Sequence, residues 1–196
     1  MTPILGGAPE TRTVDGVDGI RVPTIRGHLR FWWRTLHGHE HGEASGLFAA
    51  ERALWGGMSG QDDVGGRSLV DVRVTNVNLA GVTTDEVRPY PRQGQPATPG
   101  AYALWPARGT NEEPTAPRRV QGTQFDLELL FPEEHTQAVR SAVLAWTLFG
   151  GYGSRTRRGV GSLRCLSDGW LPTSATVDAL KVLFDSDVLH DGEFSL

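Results

Sequence analysis

The chain has 196 residues, of which 38% are apolar and six are tryptophan, which is typical of a globular protein and not of a disordered chain. No apolar run approaches the roughly 20 residues that a membrane-spanning helix needs, and the N-terminus lacks the pattern of a signal peptide. A single cysteine, Cys165, excludes an internal disulfide and is typical of a reducing compartment, so we expect a cytoplasmic protein without a membrane partner.

Charge is distributed unevenly along the chain. The net charge is −4, which disfavours a uniformly basic nucleic-acid-binding domain. All basic residues except Lys181 are arginine, and two stretches concentrate them. Val17–Arg34 holds four arginines and one acid, and Gly150–Cys165 holds arginines and no acid. The sequence therefore predicts a local site for an anion on a protein of ordinary overall charge.

The first arginine cluster falls on a predicted helix that begins at Ile25 after a capping Thr24. Arg26, Arg30 and Arg34 recur every fourth residue, so they form a stripe beside the apolar face of this helix. No acid lies within four residues of any of them. Since unpaired like charges repel, the stripe favours an external anion; the alternative is the solvated face of an ordinary amphipathic helix. The apolar face is predicted from Ile25, Leu29, Trp32, Trp33 and Leu36.

The middle of the chain combines regular elements with a long proline-rich segment. The pattern predicts a second helix over 44–54 and a strand over 68–79 with a break near Asn76. Seven of the twelve prolines fall between residues 89 and 117. We therefore interpret 88–119 as an irregular insertion that contains a short strand at 101–105.

The C-terminal part predicts a strand over 125–131, followed by a helix from Pro132 to Phe149 that buries Val139, Val143, Trp146 and Phe149. A strand over 162–166 and a helix over 173–184 follow, so 167–196 is interpreted as a helical extension.

A glycine- and arginine-rich connector joins this helix to the strand at 162–166. It reads Gly-Gly-Tyr-Gly-Ser-Arg-Thr-Arg-Arg-Gly-Val-Gly-Ser over residues 150–162. Glycine permits positive φ angles and close approach of the backbone to another molecule, and the guanidinium fork of arginine matches phosphate. The composition predicts a loop that binds a polyanion; the alternative is a mobile turn whose arginines serve solubility.

No group of residues in the sequence predicts catalysis, a metal site or a cofactor. The glycine-rich segments lack the Gly-Lys-Ser/Thr of a nucleotide-binding loop, there is no nucleophile elbow, and the carboxylates are scattered. His37, His39 and His41 have a spacing unlike that of the common zinc ligands, so we interpret them as a polar helix end. His28 is the candidate general acid or base, and a packed or ligand-contacting role is the alternative.

Four segments together resemble the RAMP superfamily, and more narrowly the first subunit of the type III-B (Cmr) CRISPR effector. They are Thr-Pro-Ile-Leu-Gly-Gly at 2–7, Ile-Arg-Gly-His-Leu-Arg-Phe-Trp-Trp-Arg at 25–34, Gly-Gly-Arg-Ser at 65–68 and Gly-Ser-Arg-Thr-Arg-Arg-Gly-Val-Gly-Ser at 153–162. The resemblance implies an α+β, ferredoxin-like or RRM-like fold in a single domain over 1–196. In this fold the helix and the glycine-rich loop meet on one side of the sheet.

The resemblance also implies a function. It predicts a non-catalytic RNA-binding subunit that caps one end of the effector filament near the 3′ end of the guide RNA and helps to engage target RNA. The expected partners are guide RNA, target RNA and other RAMP subunits. Tyr152, Phe31 and Trp105 are candidates for stacking on bases. The predicted RNA-binding residues are Arg26, Gly27, His28, Arg30, Arg34, Arg67, Ser68, Gly151, Tyr152, Gly153, Ser154, Arg155, Arg157 and Arg158.

Two other functions stay open at this point. Some RAMP relatives process guide precursors, so a metal-independent endoribonuclease acting on CRISPR RNA is one alternative. The other is an assembly module whose arginines bind acidic partner proteins instead of RNA.

Overall fold

The computed structural model describes residues 2–57, 66–174 and 176–184. The chain folds into two compact units, each built from three separate segments. The first unit contains the described residues of Met1–Ile25, Arg73–Glu128 and Thr147–Arg164, and the second contains those of Arg26–Val72, Leu129–Trp146 and Cys165–Leu196. Because the segments alternate along the chain, the units are not sequential domains, and the single-domain assignment stays a prediction.

Helices and short strands are mixed, and the predicted α+β class is confirmed. In chain order the elements are β1 (Ile4–Leu5), α1 (Val22–His37), α2 (Ala44–Trp55), β2 (Asp71–Asn78), β3 (Val82–Thr83), β4 (Arg118–Arg119), β5 (Gln124–Leu130), α3 (Thr136–Phe149) and α4 (Val177–Leu183). Strands β1, β4 and β3 form one antiparallel sheet in that order, and β2 pairs with β5 in another. None of the described helices is both long enough and apolar enough to cross a membrane.

Several element boundaries differ from the sequence predictions. Helix α1 begins at Val22, before the predicted cap at Thr24, because Pro23 fits the first turn of a helix, where its missing N–H costs nothing. The predicted strand at 162–166 is irregular. Its first N–H group, that of Ser162, donates to the side-chain oxygen of Thr2, and no described strand pairs with the segment. Strand β2 runs unbroken from Asp71 to Asn78, so the predicted break near Asn76 is wrong, although Asn76 has a positive φ of 49°.

The C-terminal helix is shorter than predicted. Helix α4 covers Val177–Leu183, inside the predicted 173–184. The rest of the extension, 185–196, lies outside the described residues. Of the residues predicted to be buried by α3, Val139, Val143 and Trp146 are buried, whereas Phe149 is 47% exposed, so its predicted burial is wrong.

The proline-rich segment 88–119 contributes to the core of the first unit. The predicted strand at 101–105 is wrong, since this stretch forms turns that lead into a 3₁₀ helix at Trp105–Ala107. Four apolar side chains of the segment are nevertheless buried, those of Ala101, Leu104, Ala107 and Ala116. They pack in one cluster formed by Leu5, Val87, Ala101, Leu104, Ala107, Ala116 and Val160.

The central strand of the three-stranded sheet consists of two buried arginines, Arg118 and Arg119. A buried guanidinium needs hydrogen-bond acceptors, and backbone carbonyls supply them. Arg118 donates to the carbonyl of Asp85 at 3.0 Å, and Arg119 donates to the carbonyl of Ala80 at 3.0 Å and to that of Asp15. These two arginines of the chain are therefore structural.

The glycine–arginine loop, residues 150–162, is fixed by backbone hydrogen bonds to the N-terminal segment. The N–H of Ser154 donates to the carbonyl of Leu5 at 2.8 Å, and the N–H of Gly161 donates to that of Pro3 at 2.8 Å. Within the loop, the N–H of Tyr152 donates to the carbonyl of Gly161 at 2.8 Å. The two ends of the loop are thus held against each other and against the residues around β1. We call these bonds the backbone clamp.

The clamp leaves no room for a side chain at Gly161. Its φ is +68°, and a Cβ atom there would lie 1.9 Å from the carbonyl oxygen of Tyr152. Gly159 has a similar φ of +79° but open space around it. An alanine at Gly159 would therefore be destabilised by the left-handed conformation alone, whereas an alanine at Gly161 would also clash with the backbone.

We expect Gly159→Ala to lower the free energy of unfolding by about 1 kcal/mol, the cost of a left-handed backbone at a residue with a Cβ atom. Gly161→Ala should lower it by at least about twice that, because the loop must also move. Urea denaturation followed by tryptophan fluorescence measures both. Equal losses of stability in the two variants would contradict the close packing at Gly161.

Candidate nucleic-acid interface

The glycine–arginine loop exposes three guanidinium groups, those of Arg155, Arg157 and Arg158. Arg155 adopts a left-handed conformation with φ of 62°, and a 3₁₀ turn over Thr156–Arg158 follows it. Within the described part of the chain, none of the three arginines forms an ion pair with an acid. Their positive charge is therefore open to solvent on a loop whose backbone is fixed.

Other predicted residues of this loop are structural. Tyr152 is 2% exposed, and its hydroxyl accepts a hydrogen bond from the N–H of Arg21 at 2.7 Å. The interpretation of its ring as a stacking surface is therefore wrong. Gly151 and Gly153 permit close packing, since a Cβ atom would lie 2.7 Å from the Gly161 carbonyl oxygen and 2.8 Å from the Leu5 carbonyl oxygen, respectively. Ser154 is exposed beside Arg155.

Arg158 also contacts an aromatic ring. Its guanidinium carbon lies 4.9 Å from the ring centroid of Tyr102, a residue of the proline-rich segment. Tyr102 is 72% exposed. The structure thus adds an aromatic side chain to the exposed arginines of the loop. Neither the spacing nor the composition of the sequence predicted it.

In the second unit, Arg26 bonds to backbone carbonyls. Its guanidinium donates to the carbonyl of Val70 at 2.9 Å and to that of Trp55, at the end of α2, at 3.0 Å. The hydroxyl of Ser68 also donates to the Val70 carbonyl, at 2.8 Å. The structure therefore brings Arg26 and Ser68 together at one acceptor, where both hold the segment that follows α2.

Arg30 and Arg34 share a buried acid. Each donates to Oε1 of Glu51 in α2 at 2.6 Å, and Glu51 is 2% exposed. Burial by itself would raise the pKa of Glu51, but the hydrogen bonds from Arg34 and Arg30 outweigh it, and the pKa is lowered. The interpretation that these arginines lack an acidic partner is thus wrong, because the acid comes from another helix.

The bonds to Glu51 do not occupy all of the N–H donors of Arg30 and Arg34. The side chains of Arg30 and Arg34 are 31% and 42% exposed, and two guanidinium groups face one carboxylate. Local charge therefore stays positive, and contact between these arginines and RNA stays a prediction.

The ring of His28 lies nearly parallel to that of Trp146, at an angle of 13°, with ring centroids 5.9 Å apart. Burial lowers the pKa of His28 from its ordinary value of 6.5. Burial thus disfavours the charged form of the imidazole. Its neighbour Gly27 is exposed, with open space where a Cβ atom would lie.

Arg67 is exposed, and it makes no ion pair with an acid in the described ranges. Gly65 of the same predicted motif lies outside those ranges. Arg67 and the residues from Arg26 to Arg34 belong to the second unit, whereas residues 151–158 belong to the first. The meeting of the two arginine clusters stays a prediction.

The described residues contain no group of three or more His, Cys, Asp or Glu side chains that could hold a metal ion. Among the three histidines at the end of α1, Nδ1 of His37 lies 2.6 Å from Oε1 of Glu40, which forms a local contact at the helix end.

The chain matches a known protein family. The family model described as the RAMP superfamily matches residues 1–164, which is most of the chain and includes both arginine clusters. No curated protein matches the chain.

Glu51 should contribute to stability through its two arginines. We expect Glu51→Gln to lower the free energy of unfolding by about 1–3 kcal/mol, because a neutral amide replaces the acceptor of two charged hydrogen bonds. Glu43→Gln, an exposed change just before α2, should alter it by less than about 0.5 kcal/mol. Urea denaturation provides the comparison, and equal effects would contradict a special role for Glu51.

Proposed function

Because this chain belongs to the RAMP superfamily, we propose that it is a cytoplasmic RNA-binding subunit of a CRISPR ribonucleoprotein. Family membership supports a CRISPR-associated role in RNA binding. Within that role, we propose that the glycine–arginine loop is the principal contact with the phosphates of RNA.

The observation that carries this proposal is the contrast between the three arginines of the loop and five arginines whose side chains bond to groups of the fold. Arg26, Arg118 and Arg119 donate to backbone carbonyls, and Arg30 and Arg34 share Glu51. The loop instead exposes three guanidinium groups without ion pairs in the described part of the chain. Arginine–phosphate contacts supply affinity that does not depend on sequence, as binding to guides of many sequences requires.

The finer assignment is to the first subunit of a type III-B effector, which caps the filament near the 3′ end of the guide RNA and helps to engage target RNA. The Leu-Arg-Phe-Trp-Trp-Arg stretch at 29–34 supports it, together with the loop that follows in the same order. In the second unit this stretch buries Leu29 and Trp33 and leaves Phe31 at 41% exposure. The motif therefore combines a packed face with an exposed aromatic and arginine face.

The proposed subunit does not cleave RNA. A general acid or base at neutral pH needs access to the reacting atoms, whereas the candidate, His28, is stacked on Trp146 and half-buried. The endoribonuclease alternative therefore requires His28 to act from within a packed contact. An RNA-free assembly module would use the same exposed arginines on acidic protein surfaces, and the RNA-binding measurement separates these functions.

Removing the charges of the loop should weaken RNA binding and reduce its dependence on salt. The slope of log affinity against log salt is negative. We expect Arg155→Gln/Arg157→Gln to make it less steep by about 0.7 for each phosphate that the variant no longer neutralises. Fluorescence anisotropy with labelled single-stranded RNA over a range of salt concentrations measures the slope. The matched control is Arg73→Gln/Arg92→Gln, which removes two exposed arginines of the same unit outside the cluster at 150–165 and should leave the slope near that of the wild type.

Equal slopes in the two double variants would overturn the role of the loop. Failure of the wild type to bind RNA, with normal assembly onto partner proteins, would favour the assembly module. RNA recovered from these titrations in the presence of a chelator should be intact. Cleavage that His28→Ala abolishes would support the endoribonuclease instead.

In the native host, tagged wild-type protein should purify with guide RNAs and other RAMP subunits, identified by RNA sequencing and mass spectrometry. The loop variant Arg155→Gln/Arg157→Gln should recover less guide RNA than Arg73→Gln/Arg92→Gln. Guide RNA with subunits of a different effector type would contradict the type III-B assignment while leaving the RNA-binding role in place.

A further inference from the structure

Tyr102 presents one exposed ring beside the glycine–arginine loop. The residue is 72% exposed, and the guanidinium of Arg158 lies over its ring, 4.9 Å from the centroid. A planar guanidinium covers a single face of an aromatic ring, so most of the remaining ring surface faces solvent.

The backbone that carries Tyr102 is fixed on both sides. Ala101 and Leu104 are 7% and 5% exposed and belong to the core cluster of the first unit. The N–H of Leu104 donates to the carbonyl of Gly100 at 3.1 Å, and the N–H of Trp105 donates to that of Tyr102 at 3.3 Å. Binding of a ligand to the ring therefore costs little conformational entropy, because the chain is already ordered.

The guanidinium of Arg158 over the ring of Tyr102 indicates which class of ligand the pair would bind. A guanidinium stacked on an aromatic ring keeps its charge and directs its N–H groups outward, in its own plane. A nucleotide offers the matching pair, a flat base for the ring and a phosphate for the guanidinium. Trp105 differs, since it is only 38% exposed and carries Arg108 at 3.9 Å.

We propose that Tyr102 is a stacking platform for a base of single-stranded RNA and that Arg158 holds an adjacent phosphate. The inference rests on the proposed function of the loop and adds to it a residue of the proline-rich segment. Stacking on a tyrosine tolerates any base, so the platform contributes affinity without sequence preference. It requires an unpaired base, since bases in a duplex are already stacked on one another.

The test compares three variants with the wild type, using labelled oligouridine and an oligonucleotide of the same length that lacks bases. Tyr102→Ala should weaken binding to oligouridine about tenfold, and Tyr102→Phe should retain it because the ring remains. The matched control is Tyr90→Ala, which removes a tyrosine of the same segment that is 71% exposed; its affinity should stay near that of the wild type. All four proteins should bind the oligonucleotide without bases equally, and the salt slope of Tyr102→Ala should be unchanged.

Each other outcome overturns the inference in a recognisable way. Wild-type binding that depends on Arg155 and Arg157 but is unaffected by Tyr102→Ala would refute the platform and leave the function of the loop standing. An equal weakening by Tyr102→Ala on the oligonucleotide without bases, or a reduced salt slope, would mean that the ring only positions Arg158. Absence of RNA binding by the wild type would refute the proposed function and the platform together.

Discussion

The backbone clamp between the N-terminal segment and the glycine–arginine loop is the constraint on which the candidate interface depends. At Gly151, Gly153 and Gly161 a Cβ atom would lie less than 3 Å from a backbone oxygen, so these three glycines are required for packing whether or not the loop binds a ligand. The N–H groups of Ser154 and Gly161, on either side of the arginines, donate to Leu5 and Pro3. The backbone that carries the arginines is therefore fixed. A polyanion then meets charges that are already in place.

Arginine has two distinct uses in this protein. Arg118, Arg119 and Arg26 satisfy backbone carbonyls, and Arg30 and Arg34 join α1 to α2 through Glu51. These side chains hold the fold, although three of them share a sequence stripe that resembles a binding face. The arginines of the loop are exposed, so similar sequence clusters reach opposite outcomes according to whether acceptors lie nearby in the fold.

The sequence predicted the elements that depend on local periodicity and missed the contacts that depend on distant residues. Helices α2 and α3 and strands β2 and β5 were predicted to within a few residues, because apolar spacing determines them. Glu51 lies 17 and 21 residues from the arginines that it binds, beyond the reach of an argument about neighbours in one helix. Its signal was weak: one acid on the apolar face of α2. Tyr102 had no signal, since only the folded turns bring it to Arg158.

The N-terminal segment and the loop are far apart along the chain: besides the backbone clamp, the hydroxyl of Thr2 donates to the carbonyl of Gly159, 157 positions away. Contacts between residues so far apart in sequence require the closure of a long loop, which costs conformational entropy, so they form late in folding. During synthesis, β1 leaves the ribosome long before its partner loop exists, and both units need segments beyond residue 128. Neither core can therefore be completed until late in translation. During this delay the partly folded nascent chain is accessible to chaperones and proteases, whatever the stability of the finished protein.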